Sequence, residues 1–80
     1  MKKANVCGKQ IKLARVKMDM DQIELAAALS VDHGLEITQV AISHIERGER
    51  RVSDFELIAL AKVLDVSTTW LLFGDKSEKR

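Results

Sequence analysis

The apolar positions of this 80-residue chain fall into five short groups at helical spacing, each flanked by residues that begin or end helices. Val6, Ile11, Ala14 and Met18 form the first stripe, with Asn5 placed to cap it. Met20 follows its end and is expected to face the core. Asp21-x-x-Glu24 reads as a capping box, the Asp carboxylate accepting from the amide three residues on. A second helix therefore begins at Gln22 and carries Ile23, Leu25, Ala26, Ala27 and Leu29. Gly34 can take the left-handed conformation that ends a helix, with Leu35 as the apolar residue beyond it. Thr38 caps a third helix. On a wheel of about 100° per residue, Ala41, Ile42 and Ile45 share one side with Thr38, and Gln39, Val40, Ser43, His44 and Arg47 take the other. Gly48 stops this helix. Ser53-x-x-Glu56 is a second capping box, opening a helix with Phe55, Leu57, Ile58, Leu60, Ala61 and Leu64. Ser67 caps a short fifth helix with Trp70, Leu71 and Leu72, closed by Gly74.

Composition agrees with an all-α chain: there is no Pro, there are four Gly, and Leu, Ala, Ile, Lys and Glu abound. The length allows one domain, residues 1–80, with its core at about 8–74 and a charged tail, 75–80, expected to fray. Cys7 is the only cysteine, so no intramolecular disulfide can form. With only His33 and His44 beside it, no metal-ligand spacing arises, and no cofactor or small-molecule ligand is implied. Neither histidine has a nucleophile or metal set beside it, which argues against an enzyme. No run approaches the ~20 apolar residues of a membrane span, and no signal peptide is visible, so the cytoplasm is the expected compartment.

The net charge of +1 says little, but its distribution says more. Lys2, Lys3, Lys9, Lys12, Arg15 and Lys17 stand against the single acid Asp19 in the first twenty residues. Residues 19–36 then hold acids and neither Lys nor Arg, after which Arg47, Arg50 and Arg51 form a second basic cluster. Two such clusters could converge into one patch suited to a polyanion.

The order of these features resembles the phage repressor and Cro-type helix-turn-helix family. The residues that carry the resemblance are Gln22, Leu25-Ala26, Thr38-Gln39, Ile42-Ser43-His44-Ile45-Glu46-Arg47-Gly48, the stretch 60–67, and Trp70-Leu71-Leu72-Phe73-Gly74. It covers roughly residues 8–74 and implies a compact five-helix, lambda-repressor-like domain with a lengthened turn between helices two and three. It implies a DNA-binding transcriptional regulator, a repressor that grips a palindromic operator as a homodimer with the third helix in the major groove. Gln39, Val40, Ser43 and His44 would then read bases, and Gln22, Thr38, Arg47, Arg50 and Arg51 would hold the backbone. Arg15 and Glu46 match a structural ion pair of the family. Ser67, Thr68, Thr69, Trp70 and Leu71 match its dimer contact. The sequence departs from the family at Asp19 and Asp21, whose charges flank Gln22, at Glu49, where a basic residue is common, and in the long stretch 30–36. The acidic stretch 19–36 supports the alternative of a protein-interaction module that keeps the fold without binding DNA.

Overall fold

The computed structural model describes residues 2–75. Among them the helices are α1 (Gly8–Lys17), α2 (Gln22–His33), α3 (Gln39–Glu46), α4 (Asp54–Leu64) and α5 (Thr68–Phe73), with no strand. Their starts are set by the short polar residues the sequence singles out. Asp21 accepts from the Glu24 amide at 2.7 Å while Glu24 accepts from the Asp21 amide at 2.8 Å. Ser53 and Glu56 form the same reciprocal pair at the head of α4. Thr38 and Ser67 cap α3 and α5 by accepting from the Ala41 and Trp70 amides. Each cap satisfies an amide that the first helical turn leaves without a partner.

All five helices feed one core. Ile11 and Ala14 of α1, Leu25 and Leu29 of α2, Ile42 and Ile45 of α3, Leu60 and Leu64 of α4 and Leu71 of α5 are buried together, with Ile37 entering just before α3. Met20 packs against this core, as its position after α1 implies. Several apolar positions counted toward the core face outward instead. Val6 precedes the first helical turn and is 74% exposed, and Met18 is turned out at the C-cap of α1. Ile23, Phe55 and Ile58 are also exposed. Phe55 and Ile58 lie on the far side of the α4 wheel from Leu60 and Leu64, so the packing of α4 leaves them in solvent.

The stretch between α2 and α3 resolves its own length. Residues 30–33 continue α2 for another turn, and the connection is residues 34–38. Gly34 sits at φ 65°, ψ 22°, left-handed, and the Leu35 amide donates back to the Leu29 carbonyl at 3.1 Å. Leu35 then packs on the core, so the extra residues become helix plus an apolar clasp.

Gly8 fixes the approach of α1 to α3. A β-carbon there would run into the Ile45 carbonyl oxygen and lie 2.9 Å from that of Glu46. Only glycine lets the first turn of α1 rest directly on the backbone at the end of α3. The fifth helix closes with Trp70 Nε1 donating to Asp75 at 3.1 Å. The rest of the expected tail, 76–80, lies outside the described residues.

Candidate nucleic-acid interface

Burial of Ile42 and Ile45 turns the opposite face of α3 outward, with Gln39, Val40, His44 and Arg47 exposed and Ser43 half-buried. The head of this face is held by a ladder of side chains. Arg15 Nε donates to Glu46 Oε2 at 2.6 Å, and its Nη2 to Oε1 at 3.1 Å, a bidentate pair. Arg15 Nη1 donates to the Met20 carbonyl at 2.8 Å. The two side chains are 11% and 3% exposed, so this pair is internal. The hydrogen bond to Glu46, ahead of the cost of burial, pushes the Arg15 guanidinium above its ordinary value.

The ladder continues outward. Gln22 Nε2 donates to Glu46 Oε1 at 3.0 Å, and Gln39 Nε2 donates to Gln22 Oε1 at 2.7 Å. The carboxylate of Glu46 can only accept, so it dictates which end of each amide faces where. Gln22 must turn its NH₂ inward and its oxygen toward Gln39. Gln39 must then spend one N–H on Gln22. It keeps one N–H and its carbonyl oxygen for a partner outside.

The turn between α1 and α2 serves the same ladder. Asp19 takes a left-handed conformation, φ 56°, which Asp tolerates better than most residues, and the turn brings the Met20 carbonyl onto Arg15. Asp21, the acid nearest Gln22 in sequence, is engaged as the cap of α2.

Elsewhere the predicted residues are partly occupied. Thr38 uses its oxygen as a cap and keeps its hydroxyl proton. Arg47 Nη1 donates to Ser43 Oγ at 2.7 Å and its Nη2 pairs with Glu49 at 3.2 Å. That hydrogen bond to Arg47 holds the exposed Glu49 carboxyl below its usual range, helped by the charges of His44 and Lys3. Arg50 is tied to Glu56 through two contacts of 3.1 Å, while Arg51 is exposed. In α5, Ser67 and Thr69 are exposed and Thr68 and Trp70 half-buried. Leu71, expected at a dimer contact, is fully enclosed in the chain's own core and supports α5 from beneath.

Two features were not legible in the sequence. The Gln22–Gln39 bridge joins separate helices, and no local pattern signals it. The reach of Asn5 is the other. Its Oδ1 accepts from the Cys7 and Gly8 amides, which fits a cap, but its Nδ2 also donates to the carbonyls of Ile45, at 3.1 Å, and Arg50, at 2.7 Å.

A short helix with an outward polar face, braced by the helix before it, defines a helix-turn-helix unit. The chain belongs to the helix-turn-helix family, whose sequence model matches residues 11–71, and it has the phage repressor and Cro-type arrangement. It is 38% identical over 72 residues to the HTH-type transcriptional regulator DicA of Escherichia coli strain K12, a match spanning 90% of this chain and 49% of that protein. The chain thus spans about half the length of the curated relative it matches. The P22 c2 repressor, solved with a synthetic operator, is similar over 89% of this chain and 98% of its own, with 34% identity and a TM-score of 0.73. The solution structure of the DNA-binding domain of the same repressor is similar over 99% of this chain and 96% of its own, at 32% identity and a TM-score of 0.74.

Proposed function

We propose that the chain is a sequence-specific DNA-binding transcriptional regulator, a repressor that grips a palindromic or pseudo-palindromic operator as a homodimer. The observation that carries this reading is the ladder from Arg15 to Gln39, which presents one oriented amide at the head of an exposed helix. The remaining N–H and carbonyl of Gln39 form a donor–acceptor pair, which matches N7 and the N6 amino group of adenine in the major groove. Val40, 60% exposed beside it, suits a thymine methyl, and Ser43 and His44 follow along the same face. Gln22 keeps one N–H for a phosphate at the start of α2, where free amides favour an anion. Thr38, Arg47 and Arg51 add backbone contacts, and Arg50 does so with its charge shared with Glu56.

A single small domain holds a half-site weakly, so two-fold pairing supplies the affinity. Ser67, Thr69 and Trp70 would meet their counterparts beside an open groove of about 530 Å³ lined by Leu13, Met18, Val66 and Trp70 among others. No helix among the described residues is long and apolar enough to cross a membrane, and a DNA partner supports a cytoplasmic location.

Selecting bound duplexes from a random pool tests the reading. The expected product is an inverted pair of half-sites with a fixed adenine in each. Binding without enrichment would remove sequence specificity. Binding to no duplex at any salt concentration would favour the protein-interaction alternative, because contacts to phosphate must strengthen as salt falls.

A further inference from the structure

Residues 2–7, before α1, do not trail away from the domain. They cross the C-terminal end of α3. The Ala4 amide donates to the Gly48 carbonyl at 2.8 Å, and Lys3 Nζ donates to the Arg47 carbonyl at 3.4 Å. Asn5 donates to the carbonyls of Ile45 and Arg50 while accepting from the start of α1. Gly48, at φ 78°, has no side chain to obstruct this path, and a β-carbon there would strike the Lys3 stem at 2.6 Å. The result is a strap of residues 2–5 fastened to the α3–α4 turn, with Lys2 and Lys3 exposed beside Arg47 and Glu49.

Where this places the lysines follows from dimensions. The eight residues of α3 rise about 12 Å, at ~1.5 Å each. The major groove is about 12 Å wide. A helix whose first turn meets base edges therefore ends at the phosphate wall of the groove. The carbonyls at that end carry the negative pole of the helix, and Glu49 adds a full negative charge, so cations are needed there to face phosphate. Arg47 alone is balanced by Glu49. Lys2 and Lys3 make the corner positive.

Resting on the DNA-binding reading, we propose that the strap of residues 2–5 is a part of the DNA interface, in which Asn5 fastens the segment and Lys2 and Lys3 contact backbone phosphates at the C-terminal end of α3. The contact is independent of base sequence, since it reaches phosphate only.

The test compares the wild type with the Lys2→Gln/Lys3→Gln variant on a random-sequence duplex and on a selected operator, across a salt series. The logarithmic salt slope should shrink by about 0.9 for each lysine that sits on a phosphate. Between about 50 and 200 mM salt the variant should then lose roughly 3.5-fold less affinity per contact removed. The absolute loss at low salt should be the same factor on both duplexes, with the melting temperature unchanged. An unchanged slope on a wild type that binds DNA would overturn the strap alone, whereas a wild type that binds neither duplex would overturn both readings. A loss confined to the operator would also overturn it, by assigning the lysines to base recognition. Asn5→Ala, with both lysines retained, should move the slope toward the double variant's. An unchanged slope there would remove Asn5 as the fastener.

Discussion

Glu46 accepts three hydrogen bonds at once, two from Arg15 and one from Gln22, in a site almost closed to solvent. Taking the carboxylate away in Glu46→Ala leaves the Arg15 cation buried without its counter-ion, with the Met20 carbonyl as a neutral acceptor. The expected cost is about 3–5 kcal/mol in a denaturant melt. The cycle with Arg15→Met should recover much of that loss, because removing both charges avoids the stranded one. Purely additive losses would show that the two side chains act independently. Glu46→Gln probes a subtler role. The new NH₂ must oppose an Arg15 donor at either oxygen position, and at the Oε1 position it also meets Gln22 with a donor, which removes the reason for the orientation of Gln22, and of Gln39 with it. Discrimination at the Gln39 base pair should fall by about 1–3 kcal/mol, close to the effect of Gln39→Ala, although residue 46 reaches no base. Competition between duplexes differing at that pair measures it, and undiminished discrimination would break the link from Glu46 to Gln39.

The helices show which signals a sequence carries and which it withholds. Caps are local: Asp21 with Glu24, and Ser53 with Glu56, each need only residues three apart, so the starts of α2 and α4 were readable. The clasp at Gly34 and Leu35 was readable for the same reason. The outward placement of Phe55 and Ile58 was not, because it depends on which neighbours α4 meets. Nor was the grip of Asn5 on carbonyls 40 and 45 residues away. Of the interface, the face of α3 was legible from its periodicity, but the bridge that orients its first residue was not. Two predictions belong to these elements. Gly34 has open space around it and a left-handed φ of 65°, so Gly34→Ala should cost about 1–2 kcal/mol through backbone strain alone, with DNA affinity kept in the folded fraction. A drop in affinity beyond the folded fraction would mean the clasp also aims α3. At the head of α4, the hydrogen bond from Arg50 holds the Glu56 carboxyl below its ordinary value. A lowered pKa contributes stability that is complete above the unfolded value of about 4.3 and is lost as pH falls through the folded one. Glu56→Gln should therefore flatten the acid limb of the stability curve, and an unaltered limb would assign acid unfolding elsewhere.

For the molecule as a whole, size sets the expected geometry on DNA. The Cα atoms extend 36 × 29 × 22 Å. Half-sites one helical turn apart are about 34 Å from centre to centre. Two copies centred on them would touch where their 36 Å axes lie along the duplex. Cooperative binding should therefore depend on spacing. Inserting about 5 bp, half a turn, between half-sites puts the copies on opposite faces of the duplex and should abolish it. A titration followed by sedimentation would show two copies bound together on the native spacing and independent binding on the other. Equal cooperativity on both duplexes would argue against a direct contact.

Gly8 brings the backbone of α1 against the backbone at the end of α3, so the mount of the recognition helix is built without the side chains that face outward. Among the described residues Val40, Ser43 and His44 take no part in the buried core, and the exposed Gln39 side chain is hydrogen-bonded to Gln22. On the proposed reading of α3, a vocabulary of new operator sequences is therefore accessible by exchanging a few letters on one face, while the frame that pronounces them stays still.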